Sequence, residues 1–102
     1  MSKISASSKK AKIPVVVKEL WVENRLGLHA RPAAQVVKLA QNFDGEIILE
    51  KDGGKANARD LLALLALSCP QGTRLVLRAT GPQAQEAATA LFALFASKFG
   101  EK

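Results

Sequence analysis

A single histidine among 102 residues, His29, is the side chain best placed to do chemistry. It lies in Gly27-Leu28-His29-Ala30-Arg31-Pro32-Ala33, where an extended segment gives way to a helical pattern. The first turn of a helix leaves backbone N–H groups without acceptors and carries the positive end of the helix dipole. A phosphoryl group placed there meets donors already oriented toward it. Pro32 suits that turn, which needs no N–H from it. Gly27 permits backbone geometry closed to other residues. Arg31 adds a permanently charged fork of donors matched to phosphate oxygens. The same positive charges disfavour an imidazolium and favour the neutral ring that phosphoryl capture requires. After transfer, the same donors would hold the roughly doubly negative phosphate. His29 is thus a candidate reversible phosphoryl acceptor, although a lone histidine at a helix start is more often a surface or capping residue.

Other chemistries find little support. Cys69, the one cysteine, cannot form an internal disulfide or a thiolate zinc cluster, and one histidine excludes a multi-histidine metal site. No cofactor and no metal are expected. Nothing marks Cys69 as an activated nucleophile, and it reads as a small packed residue. The formal net charge of +6 belongs largely to the opening segment, where Lys3, Lys9, Lys10 and Lys12 occur without an acid. Removing them leaves 11 basic against 9 acidic residues, too balanced for a fold that binds nucleic acid. No apolar run approaches the roughly 20 residues needed to cross a bilayer, so no membrane insertion is expected. The apolar run Ile13–Val17 is too short for a signal-peptide core, and a reduced, cytoplasmic protein is expected.

The elements that must position His29 follow from periodicity. Residues 1–13, rich in Ser, Lys and Ala, read as a disordered basic tail, and residues 14–102 as one domain. Val15–Glu23 suggests a strand, broken by Asn24-Arg25-Leu26-Gly27. From Pro32 to about Asn42, Ala33, Val36, Val37 and Ala40 recur at helical spacing. Glu46–Lys51, the turn Asp52-Gly53-Gly54 and a returning strand over Lys55–Ala58 read as a hairpin. Asp60 looks like the N-cap of a short leucine-rich helix over Leu61–Leu67. Arg74–Ala79 alternates as a strand with one wet face. Ala84, Ala87, Ala88, Leu91, Leu94 and Phe95 keep helical spacing to about Phe99. The order β-α-β-β-α-β-α predicts an α+β fold, one antiparallel sheet with helices on one face.

The run from Gly27 to Ala33 resembles the active-site signature of the HPr family, the histidine phosphocarriers of the bacterial phosphotransferase system. The resemblance extends from about Val15 to the end of the chain, and the element order is that of the HPr open-faced sandwich, a four-stranded antiparallel sheet with three helices on one face. Asn24–His29, Ala63-Leu64-Leu65-Ala66-Leu67 and Ala79-Thr80-Gly81-Pro82-Gln83 resemble the nitrogen-branch version of the family in particular.

The resemblance implies a phosphoryl carrier that is not itself an enzyme. His29 would accept phosphate on Nδ1 from phosphorylated enzyme I and pass it to an enzyme IIA-type protein. Arg31 would neutralise the phosphoryl group, and the backbone at Ala30, Pro32 and Ala33 would complete its cradle. Docking would use Gln35 and Lys38 on the first helix and Arg59, Leu61, Leu62 and Leu65 about the second. The leucines of the second helix leave two readings open, an exposed apolar patch or a fully buried short helix. Asp60 stands where many members of the family carry a regulatory serine, so control by a serine kinase there is not expected; Asp60 would either cap the helix as serine would or mimic, with its single charge, part of what phosphoserine does. A monomer is expected, with regulatory proteins as further partners. The alternative function is mainly regulatory, an adaptor whose phosphorylation state signals to metabolic or transcriptional partners.

Overall fold

The computed structural model describes residues 14–102, and its elements follow the order read from the sequence. They are β1 (Val15–Trp21), α1 (Ala30–Ala40), β2 (Ile47–Lys51), β3 (Gly54–Asn57), α2 (Leu61–Ala66), β4 (Arg74–Thr80) and α3 (Ala84–Ala96), closed by a 3₁₀ turn over Lys98–Gly100. The tail expected over residues 1–13 lies outside the described residues.

Alternation along the strands decides which face is covered. In β4, Leu75, Leu77 and Ala79 are fully buried, while Arg74 and Arg78, which alternate with them, are exposed. The four strands are ordered β1-β4-β2-β3, and every neighbouring pair is antiparallel. Leu20, Ile47, Leu49 and Ala56 join the β4 residues in a core completed by Val36, Leu64, Leu91 and Phe95 from the helices. The opposite face is uncovered and is laced by the ion pairs Arg74–Glu19 at 2.9 Å and Arg78–Glu50 at 3.2 Å. An antiparallel sheet tolerates one wet face of this kind. Small residues on α3, Ala84, Ala87 and Ala88, are buried and let that helix lie close on the sheet. On its outer flank the Lys18 ammonium sits 4.7 Å from the centre of the Phe92 ring.

Element ends depart from the periodicity in instructive ways. The helix read from Pro32 begins at Ala30, because His29 is still extended (φ −84°, ψ −170°) and the chain turns helical immediately after it. The last helix, read to about Phe99, ends at Ala96. Phe99 keeps the spacing of a buried helical position, and it is buried, with its ring edge-on to Phe95 at 4.8 Å. It gets there by another route: Lys98 and Phe99 are both left-handed (φ 58° and 57°) and fold the chain back. At the turn from α1 into β2, Gly45 has φ +94°, and a Cβ there would stand 1.9 Å from the Thr80 carbonyl oxygen. That contact pins α1's far end to the sheet.

The two ends of the sheet differ in role. At one, Pro14 O accepts from Gly81 N at 3.0 Å, beside Gly45 and Thr80. At the other, Val22 N donates to Thr73 O at 2.9 Å, and the loop carrying His29 begins.

Candidate functional site

Gly27 starts the placement of His29. It is left-handed (φ +74°), and a Cβ on it would come within 2.6 Å of Cys69 O. Only glycine lets this loop lie flat on the α2–β4 connection, where Leu28 N donates to Cys69 O at 2.8 Å. Leu28 is buried as an anchor, and the chain emerges at His29, the N-cap of α1. The ring does not cap the helix itself. Its side chain is 37% exposed, accessible yet supported from one side.

The support is Glu101. Its carboxylate lies 3.0 Å (Oε2) and 3.2 Å (Oε1) from His29 Nε2. Arg31 donates through one terminal guanidinium nitrogen to Glu101 Oε2 at 2.6 Å and to Phe99 O at 3.3 Å. Asn24 Nδ2 donates to Glu101 Oε1 at 2.9 Å and to Gly27 O at 2.7 Å. The Asn24 amide foremost, then Arg31 and His29, hold the Glu101 carboxyl below its ordinary value, against the opposing effect of partial burial. An ionised carboxylate can only accept, so Nε2 carries the proton it receives and the lone pair of the neutral ring falls on Nδ1. Nδ1 has no partner among the described residues.

The charge environment therefore differs from the one the sequence suggests. An imidazole flanked only by positive charge was expected; it also faces a carboxylate. The cradle is narrower too. Pro32 has no N–H, and Ala33 N donates to His29 O at 3.0 Å within the helix. The first-turn N–H groups without an acceptor among the described residues are those of Ala30 and Arg31. The Nε and second terminal nitrogen of Arg31 are likewise uncommitted. These donors and Nδ1 all belong to the first turn of α1 or the residue that caps it.

Of the remaining residues singled out in the sequence, Lys38 is exposed and Gln35 half-buried on α1, and together they line a shallow groove with Leu39, Asn42 and Leu94. On α2, Leu62 is 75% exposed and Leu61 38%, while Leu64 alone is fully buried and Leu65 is half-buried. The exposed patch, not the fully buried helix, is the arrangement found. Arg59 is engaged within the fold: its guanidinium donates to Gly45 O at 2.8 Å and to Phe43 O, tying the start of α2 to the end of α1. Asp60 caps α2, its side chain accepting from Ala63 N at 3.1 Å. Cys69 is buried, and desolvation pushes its thiol up despite the nearby Lys51 charge. Among the described residues no cluster of His, Cys, Asp or Glu could hold a metal ion, and no helix is long and apolar enough to cross a membrane.

Glu101 and Asn24 complete the site although neither stands out as a candidate in the sequence. Asn24 lies five residues before His29 but is joined to it through Glu101, which is 72 residues away in the chain and reaches the ring through the left-handed turn at Lys98 and Phe99. The available signal was a glycine followed by an acid, Gly100-Glu101, just past the last apolar position.

Comparisons with known proteins bear on the family and the fold. The family model described as the PTS HPr component phosphorylation site matches residues 16–97. The phosphocarrier protein NPr of Escherichia coli is 46% identical over 81 residues, covering 78% of this chain and 90% of that protein. An HPr structure from Thermoanaerobacter tengcongensis superposes with a TM-score of 0.82 at 40% identity, covering 85% of this chain and 98% of that one. A dimer of HPr from the same organism gives a TM-score of 0.69 at 44% identity, over 78% and 92% of the two chains.

Proposed function

The chain belongs to the HPr family of phosphotransferase-system phosphocarriers, and we propose that it takes a phosphoryl group on His29 from phosphorylated enzyme I and gives it to an enzyme IIA-type acceptor. The observation that carries this reading is the ring of His29: Nε2 is engaged by Glu101, and Nδ1, at the start of α1, has no partner among the described residues. The Nδ1 lone pair attacks phosphorus, an N–P bond forms, and the bond from phosphorus to the donor breaks with its electrons returning to the donor. The uncommitted donors of Arg31 and the N–H groups of Ala30 and Arg31 take the phosphoryl oxygens. Little else is required, since such a transfer rests on positioning and charge stabilisation. The reverse geometry delivers the group to the next protein.

Docking is proposed for the exposed leucines of α2, Leu61 and Leu62, with Leu65 at their edge and Gln35 and Lys38 on α1. The carrier is proposed to work as a monomer in the cytoplasm. The stretches Asn24–His29, Ala63–Leu67 and Ala79–Gln83 that resemble the nitrogen branch support a nitrogen-type acceptor over a sugar permease, and with it regulatory partners.

Incubation with enzyme I and phosphoenolpyruvate should give one acid-labile, alkali-stable phosphate per chain, absent from His29→Ala. An acid-stable adduct, or one that survives His29→Ala, overturns the proposal. Offering the phosphorylated protein to nitrogen-type and sugar-type enzyme IIA proteins in parallel separates the branches. Faster transfer to the sugar type would reject the nitrogen assignment.

A further inference from the structure

Asn24 is the one fully buried polar side chain among the described residues, and its Oδ1 has no hydrogen-bond partner. A buried amide with an orphan oxygen weakens a fold compared with an apolar side chain of similar size. Its other half is fully used. The two N–H bonds of Nδ2 go to Gly27 O and to Glu101 Oε1, one bond on each side of His29's loop. Turning the amide over would set its oxygen against two acceptors, so the network fixes its orientation.

We infer that Asn24 is a positioning residue for phosphoryl transfer, holding the Glu101 carboxylate behind the imidazole so that His29 presents Nδ1. The inference deepens the carrier reading above and rests on it. Arg31 cannot fill this role alone, because it also points a donor at Glu101 and is more than half exposed. An exposed guanidinium is free to turn toward an arriving phosphoryl group, and when it does, Asn24 is the buried donor that keeps Glu101 in place. The carboxylate then goes on accepting from Nε2–H, with the ring held through the transfer. Orientation is what is at stake, since small misplacements of a reacting group slow such steps steeply.

The test uses the full chain with Asn24→Ala, Glu101→Ala and the double variant, each checked for a folded spectrum. Ring nitrogen shifts of His29 are read by NMR in the unphosphorylated protein, and kcat and KM are read for phosphorylation by enzyme I. The wild type should show a proton on Nε2 and a bare Nδ1. Asn24→Ala should move the ring toward the tautomer mixture of a free imidazole and lower kcat on the order of tenfold, with KM little changed. The double variant should add nothing to Glu101→Ala, because the effect passes through that carboxylate. Unchanged ring shifts in Asn24→Ala, or the same loss with and without Glu101, overturn the inference. Should Asn24→Ala not fold, Glu101→Ala decides: a ring unaltered there removes the only path by which Asn24 could act. A His29 that accepts no phosphate at all would instead defeat the carrier reading, leaving the ring measurement independent of it.

Discussion

At the scale of single residues, the site is a balance between one imidazole and one carboxylate. Glu101 is held ionised by Asn24 first and by Arg31 and His29 after it. A carboxyl kept below its unfolded value stabilises the fold above its ordinary value of 4.5 and loses that contribution as pH falls through the folded value. Urea midpoints of the wild type and Glu101→Gln should therefore differ at pH 7 and converge well below pH 4.5. A gap that widens on acidification would contradict the assignment. This layer was only half legible in the sequence. His29 and Arg31 belong to one short run whose chemistry follows from their spacing. Glu101 and Asn24 do not, because what joins them is tertiary: a reversal at two left-handed residues that no propensity scale anticipates. Arg59 has contacts that are tertiary in the same way. Its charge and position suggest a free surface side chain, but the carbonyls of Phe43 and Gly45 have claimed it.

At the scale of elements, the short helix α2 depends on its cap. A helix of six residues has little intrinsic stability, and Asp60 satisfies the Ala63 N–H that would otherwise lack an acceptor. Asp60→Ala should cost about 1 kcal/mol in urea unfolding, whereas Asp60→Ser should stay within about 0.5 kcal/mol of the wild type. A neutral Asp60→Ala would mean that packing of Leu64 alone secures the helix. The periodic elements were legible because their burial is dictated locally: alternation in Arg74–Ala79 and the alanine spacing of the last helix each define one face. Their ends were not, since ends depend on what the chain meets. Ala96 terminates α3 because burying Phe99 against Phe95 requires a turn, and helical spacing cannot distinguish the two outcomes.

At the scale of the molecule, one face of the sheet builds the core and the leucine patch of α2 is left in solvent. Leu62 at 75% exposure contributes little to folding. Leu62→Lys should change stability by less than about 0.5 kcal/mol. If α2 docks the donor, the same change should raise KM for phosphorylation by enzyme I roughly tenfold, the worth of burying part of a leucine. An unaltered KM would place the donor elsewhere on the surface.

The two ends of the sheet have a practical corollary. Pro14 is fastened beside Gly81, while His29 rises from the loop that follows the opposite end of β1. A dye or an immobilising handle fixed at position 14 itself sits at the far pole and leaves the imidazole facing outward. Samples held on a surface through position 14 should exchange phosphate as freely as protein in solution.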